Sequence, residues 1–437
     1  MSKTLHLVSL GCTKNLVDSE IMLGRLQEYT VTDDPDTADV IIVNTCGFIE
    51  AAKEESINTI LSLHAQRKEN SLLVMSGCLT ERYQQELQES MPEIDIFTGV
   101  GDYEKIDELI MKKQSTFTPE VYLANEKADR VITGSSFHAY IKIAEGCNQA
   151  CSFCAIPSFK GKLHSRTIDS IITEVQNLVK AGFWDFSFVS QDSSSYGRDM
   201  GLGDGLINLI HATEAIKGLR SARILYLYPS TTSFGLIDAI ADSKLFQTYY
   251  DMPIQHIDNS ILKTMKRGFG EKKTIELLNH MKAKTDAFIR TSVIAGHPGE
   301  TEESFQKLCD FMRTFAFDRF NTFHYSNEET TTAYEMEQIP RETIEKRAQI
   351  LGRIAEETTK ISLEKMVGKT IDLVIDGESD EHEYLLTARS LQWAVDIDGE
   401  ILVNDTDEIP VTYGKVYQAE ITELVGRQLL AKLRNQK

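Results

Sequence analysis

The sequence predicts an α/β protein in three parts: a parallel-sheet α/β domain over residues 1–130, an α/β barrel, complete or open, over 131–363, and a small antiparallel β-barrel over 364–437. Three observations carry this reading. The first hundred or so residues alternate between short apolar runs and amphipathic stretches, the alternation resumes after a charged interval, and the final stretch breaks into short alternating runs closed by turns. A length of 437 residues agrees, at about 150 residues per domain.

In the first part, the runs 5–10, 40–43 and 72–75 read as strands, with 15–29 and 48–63 as the helices between them. Short loops and crossover helices give a parallel sheet, whose ligands gather beyond the carboxyl ends of the strands. Each strand runs into a cysteine: Ser9-Leu10-Gly11-Cys12, Val43-Asn44-Thr45-Cys46 and Met75-Ser76-Gly77-Cys78, at spacings of 34 and 32 residues. Such a sheet sets the three thiols at one edge, facing one object. Gly11, Gly47 and Gly77 fit tight strand-to-helix turns. Taken singly, each cysteine is more readily a small buried apolar residue than a ligand; three in register argue for a site.

The polar stretch 124–130 marks a boundary, and 138–143 begins another strand. Runs at 186–189, 223–228 and 288–294, with helices such as 168–180 and 303–314, make the barrel. After the charged helical segment 341–364, the alternating run 368–377 ends on Asp376-Gly377. The short runs that follow suggest a β-barrel of OB-like size, a shape often used to hold macromolecules.

Composition narrows the function. With 46 basic and 66 acidic residues the formal charge is −20, which excludes a surface that attracts polyanions as a whole but leaves room for a local basic patch. No apolar stretch approaches the roughly 20 residues that span a bilayer, so no membrane partner is expected. The first residues lack the apolar core and small-residue cleavage site of a secretion signal, and the expected location is the cytoplasm. Seven cysteines, an odd number, are then reduced thiols: metal ligands, catalysts or core residues.

The sharpest signal is Cys147-x3-Cys151-x2-Cys154 at the end of the barrel's first strand. A structural zinc site needs four closing ligands; here no fourth cysteine follows, and His164 lies ten residues beyond Cys154. Three thiolates on a cuboidal iron–sulfur cluster instead leave one iron open to a small molecule. The motif, with Phe153 in the aromatic slot before the third cysteine, resembles that of the radical S-adenosylmethionine (SAM) superfamily. Together with the upstream trio and the small C-terminal barrel, the whole chain resembles the methylthiotransferases of that superfamily.

The resemblance implies two [4Fe-4S] clusters, one on Cys147, Cys151 and Cys154 that binds and cleaves SAM, and an auxiliary one on Cys12, Cys46 and Cys78 that carries the sulfur. It also implies a TRAM-like C-terminal domain that grips the substrate, and an electron donor such as flavodoxin or ferredoxin. Ser9-Leu10-Gly11-Cys12-Thr13-Lys14-Asn15-Leu16-Val17-Asp18-Ser19-Glu20 and Cys154-Ala155-Ile156-Pro157-Ser158-Phe159-Lys160-Gly161-Lys162 are similar to the RimO-type branch, which modifies the β-carbon of an aspartate in a small-subunit ribosomal protein. The free protein or the assembled ribosomal subunit is then the partner. The sister branch, which modifies tRNA adenosine, keeps the same chemistry and is the alternative. A non-catalytic iron–sulfur scaffold or electron carrier is the alternative of another class; it explains the cysteines but not the barrel.

Charge favours the protein substrate. Residues 364–437 hold 15 acidic and 8 basic side chains, a net of −7, which suits a basic protein better than a phosphate backbone. A plainly solvated acidic surface explains the same count.

For SAM itself, Phe153, Gln191, Arg290 and Gly296 are the candidate contacts, the last three because they follow or lie on later barrel strands. A structural hydrogen bond for Gln191 and a simple turn at Gly296 are the competing explanations. Gly201, Gly203 and Gly205 make no dinucleotide fingerprint, since Leu206 stands where the third glycine belongs. His256 is a weaker candidate, His297 and His324 weaker still, and Cys309, among Phe305, Leu308 and Met312, reads as core.

Overall fold

The computed structural model describes residues 3–379 and 383–436; Met1, Ser2, Asp380, Glu381, His382 and Lys437 lie outside the described residues, as does the side chain of Gln436. The first part is a five-stranded parallel sheet of β1 (Thr4–Ser9), β2 (Thr30–Val31), β3 (Val40–Thr45), β4 (Leu72–Gly77) and β5 (Ile96–Phe97), ordered β2-β1-β3-β4-β5. Central β3, Val-Ile-Ile-Val-Asn-Thr, is buried along its whole length, as a strand covered on both faces must be. Helix α2 (Glu50–Gln66) sends Ile60 and Leu63 against Ile41, Val43, Leu73 and Met75 on one face.

The other face meets α1 (Thr13–Arg25), whose Val17, Ile21 and Met22 pack with Leu5, Val40, Ile42 and Val74. Helix α1 also buries Lys14, Asn15, Asp18, Ser19 and Glu20. That burial of charge makes sense only if the next domain satisfies it, and it does: Arg130 joins Glu20 to Glu174 across the boundary, at 2.5 and 2.8 Å.

The second part opens with β6 (His138–Lys142), then the short antiparallel pair β7 (Ala144–Glu145) and β8 (His164–Ser165), which bracket the cysteine loop. Strands β9 (Asp185–Val189), β10 (Ser221–Ile224), β11 (Tyr249–Asp251), β12 (Phe288–Ala295) and β13 (Arg319–His324) follow. Sheet β10-β9-β6 and sheet β11-β12-β13 are parallel throughout. They join edge to edge where Ala222 N–H donates to Leu245 O (3.1 Å) and Leu227 N–H to Asp251 O (2.8 Å). The result is an open barrel of six parallel strands; among the described residues, β6 and β13 form no ladder with each other.

Alternation along these strands divides the chemistry. Ala139, Ile141, Phe186, Phe188, Ala222, Ile224, Ile289 and Val293 pack outward with the helices. His138, Tyr140, Lys142, Asp185, Ser187 and Arg223 fall on the opposite, lumen side.

The third part is a closed barrel of β14 (Thr370–Glu378), β15 (Leu386–Ser390), β16 (Ile401–Asp405), β17 (Val416–Val425) and β18 (Gln428–Gln436), in the order β14-β15-β16-β18-β17. The expected antiparallel pairing holds except between β16 and β18, which are parallel. That single parallel pair is the closure of a five-stranded Greek-key barrel. Trp393, Ala394 and the β-barrel core are continuous with Tyr140, Tyr249 and Phe288 of the central barrel.

Candidate active site

Strands β1, β3 and β4 are neighbours, with Ser9 level with Asn44 and Asn44 level with Ser76, so the cysteines that follow them meet at one sheet edge. Cys12 is the residue before α1, Cys46 follows Thr45 directly, and Cys78 opens the short helix α3 (Cys78–Arg82). Gly11, at φ +85°, lies so close that a Cβ there would come 2.5 Å from Cys46 Cβ and 2.8 Å from its sulfur. Asn15 secures the edge by donating from Nδ2 to Leu10 O (3.1 Å) and Thr45 O (3.0 Å). Burial, followed by the charge of Cys12, pushes the Cys46 thiol up to about 11; burial raises Cys78 as well, and Lys160 opposes the rise.

The second trio sits in the loop between β7 and β8. Gly146, at φ +76°, leads into it; a Cβ there would meet Lys162 O at 2.2 Å. Cys147 N–H donates to Gly161 O (3.1 Å) and Leu163 N–H to Asn148 Oδ1 (3.0 Å), closing the loop on itself. Cys151 is the anchored sulfur: the Tyr228 hydroxyl is 3.3 Å away, and Arg267 Nη1 donates to it at 3.4 Å while stacking over the Tyr228 ring at 4.0 Å. Ser152 is 3.0 Å from His297 Nε2. Burial raises Cys147 and Cys154 to about 12.

Such thiols lose their protons only to a cation, and three soft sulfur donors per site suit iron–sulfur chemistry better than a hard metal. Among the described residues no three His, Cys, Asp or Glu side chains converge on one metal-ion position. A cuboidal cluster holds its thiolates farther apart than a single ion does. Three soft thiols gathered at one sheet edge are the donor set that such a cluster takes.

Comparison with known proteins follows the same division. The radical SAM superfamily profile matches residues 141–312, that of the uncharacterized protein family UPF0004 residues 4–99, and the TRAM domain profile 367–433. The ribosomal protein uS12 methylthiotransferase RimO of Sulfurovum sp. (strain NBC37-1) is 77% identical over 431 residues, 99% of this chain and 98% of that protein. The RimO of Aliarcobacter butzleri (strain RM4018) is 62% identical over 433 residues, 98% of this chain and 97% of that protein. The chain belongs to the RimO family.

In fold, a radical SAM methyltransferase, TsrM from Kitasatospora setae with tryptophan substrate and a SAM analogue bound, is similar at TM-score 0.53 over 74% of this chain and 73% of that one. At 14% identity it shares the fold alone.

Between the two trios the RimO-family chain buries a charged layer. Lys142, fully buried, bonds Asp18 of α1 and, at 2.7 Å, Glu145, two residues before Cys147. Lys160 lies 3.6 Å from Asp18 and 3.5 Å from Glu145. Lys14 sits 3.6 Å over the ring of Tyr226. Composition gave no sign of this layer, because lysine and glutamate in a sequence read as solvent-facing; the signal was Lys142 on the same strand face as His138 and Tyr140.

Of the other candidates, Gln191 reaches the layer: its amide bonds Glu145, and its Oε1 is buried without a partner. Phe153 packs with Ile261, Met265 and Ile294, edge-on to His297. Arg290 faces the lumen but is held by Asp251 (3.0 Å) and, from the TRAM domain, Asp398 (3.6 Å). Gly296 N–H donates to Glu300 Oε2 at 2.6 Å, and Ile344 packs where its side chain would be. His256 accepts from Asp258 N–H within the core, and Cys309 is buried among Phe305, Leu308 and Met312.

Proposed function

We propose that this protein inserts a methylthio group at the β-carbon of an aspartate in a small-subunit ribosomal protein, with SAM and two [4Fe-4S] clusters as its cofactors. What supports this above all is the pair of cysteine trios, one at the carboxyl edge of each α/β unit, on either side of one buried charged layer. In this reading the chain divides at 130 and 363. Cys147, Cys151 and Cys154 hold the cluster that binds SAM, and Cys12, Cys46 and Cys78 hold the auxiliary one.

Cys147, Cys151 and Cys154 would hold the group whose chemistry, with SAM bound, would be one-electron cleavage for hydrogen removal from an unactivated carbon. The chain's own residues position and shield. Arg267 and Tyr228 fix Cys151, His297 fixes Ser152 beside it, and the unpartnered Oε1 of Gln191 offers an acceptor toward SAM. The packing of α1 on β6 buries the Lys142–Asp18 pair that lies between the trios. The acidic TRAM domain suits a basic ribosomal protein, free or in the assembled subunit, and the electron donor is of the flavodoxin or ferredoxin class. Its place of action is the cytoplasm; no helix of the described residues is long and apolar enough to cross a membrane.

The test is mass spectrometry after anaerobic reconstitution with iron and sulfide, with SAM and reductant, offering small-subunit ribosomal proteins and bulk tRNA in parallel. One methylthio group on a ribosomal-protein aspartate is the expected product. The same group on a tRNA base would overturn the substrate and keep the chemistry, whereas SAM left uncleaved would overturn both.

A further inference from the structure

Lys160 ends the five-residue helix Ile156–Lys160, which begins two residues after Cys154, so its place is fixed by the barrel trio. Yet that helix packs against α3, which Cys78 opens, and Cys78, Ala155 and Phe159 share one apolar cluster. Lys160 therefore ends a helix that follows one cysteine site and packs on the helix opened by a cysteine of the other. Its side chain is only 4% exposed. Asp18 and Glu145 pair with it as ions at 3.6 and 3.5 Å without a hydrogen bond, and the ring of Tyr103 lies 5.7 Å away.

Nζ makes no hydrogen bond among the described residues. Lys142, by contrast, bonds both carboxylates directly, and Lys14 rests on Tyr226. An ammonium carries three donors, and leaving them unused at this burial is costly.

We infer that Lys160 is a positioning residue for the N-terminal trio: it turns its free N–H donors toward Cys78 and supplies positive charge to the cluster held there. The inference rests on the reading that Cys12, Cys46 and Cys78 hold an iron–sulfur cluster. Its consequence is that the barrel domain tunes the auxiliary site of the other domain. Reduction potential follows net charge and hydrogen bonds to sulfur, so removing this cation must make the cluster harder to reduce.

The experiment uses the full chain with Cys147, Cys151 and Cys154 all changed to Ala, so that iron enters only the N-terminal trio. Lys160→Met, Lys160→Gln and Lys160→Arg are compared in that background after anaerobic reconstitution. Bound iron and sulfide, the EPR signal of the reduced cluster and its midpoint potential are read. Both neutral variants are expected to bind less than half the iron of the parent and to titrate at a lower potential on the fraction loaded, with Arg restoring both. In chains with Cys12, Cys46 and Cys78 changed to Ala, the same Lys160 variants should load the barrel trio at the parent's iron content.

An unchanged potential in Lys160→Met and Lys160→Gln, whatever the iron content, would assign Lys160 to structure alone and overturn the inference while leaving the auxiliary cluster standing. A parent background that takes up no iron would overturn the auxiliary cluster, and this inference with it.

Discussion

At the scale of single residues the proposed reading gives the two trios different tasks. Replacing Cys147, Cys151 or Cys154 by Ala should abolish SAM cleavage, at least a hundredfold by release of 5'-deoxyadenosine. Replacing Cys12, Cys46 or Cys78 should leave cleavage within about threefold and abolish methylthio transfer, read by mass spectrometry of the substrate. The margins are order-of-magnitude expectations for the loss of a metal centre as against a distant site. Gly11→Ala tests the cradle without removing a ligand. The left-handed backbone at φ +85° costs about 1–2 kcal/mol with a Cβ present, and that Cβ would press within 2.5 Å of Cys46. Iron bound by the N-terminal trio should fall several-fold while that of the barrel trio holds. The placement of the six cysteines, three at one sheet edge and three between β7 and β8, was legible because spacing and strand ends are properties of sequence. Where Arg290 goes was not, since its partner Asp398 lies in another domain.

At the scale of elements, the strands buried on both faces could be read directly: β3 and β4 are continuous apolar runs, and the helix at 168–180 has the observed bounds, Ile168–Lys180. Strand β13, Arg-Phe-Asn-Thr-Phe-His, escaped notice because alternation in an open barrel with a polar lumen mixes apolar with polar positions. The two-residue edge strands β2 and β5 are too short to carry any period. The loop after β13 also does what no local pattern announces. Its Glu328, with a side chain 2% exposed, accepts from Lys53 of α2 (3.0 Å) and Arg82 of α3 (2.9 Å), and Ser326 accepts from Glu50 N–H (3.0 Å). The barrel thereby clamps the helices that follow Cys46 and Cys78. Glu328→Gln removes the charge that holds two cations, and a broken buried pair of this kind costs about 3–5 kcal/mol. The expected result is faster amide exchange over α2 and α3 with little change in the barrel strands; equal exchange in both chains would refute the clamp.

At the scale of the whole molecule, the TRAM domain closes the amino-terminal end of the barrel, opposite the cysteines. Arg389 of β15 reaches Asp185 at 2.8 Å, and Asp185 also holds Arg223 of β10 at 2.9 Å. Tyr140 donates to Val395 O (2.7 Å), and Arg319 stacks over Trp393 at 4.9 Å. Burial alone would raise the Asp185 carboxyl, but Arg223 and then Arg389 outweigh it and hold it well below the usual carboxylate range. A carboxylate with a lowered native pKa stabilises the fold fully above its unfolded value of about 3.9, and that stabilisation drains away as pH falls below it. Asp185→Asn keeps the shape and deletes the charge, leaving two buried guanidinium groups without their anion, at a cost of about 3–5 kcal/mol. Urea unfolding at pH 7 should show that loss, and hydrogen exchange should place it at the junction of the TRAM domain with the barrel. Repeating the titration toward pH 3 should narrow the gap between the two chains, because the unfolded carboxylate then takes up a proton that the native one, held by Arg223 and Arg389, does not, and that the amide never binds. A constant gap from pH 7 to pH 3 would mean that Asp185 stabilises the junction through its shape and hydrogen bonds rather than its charge.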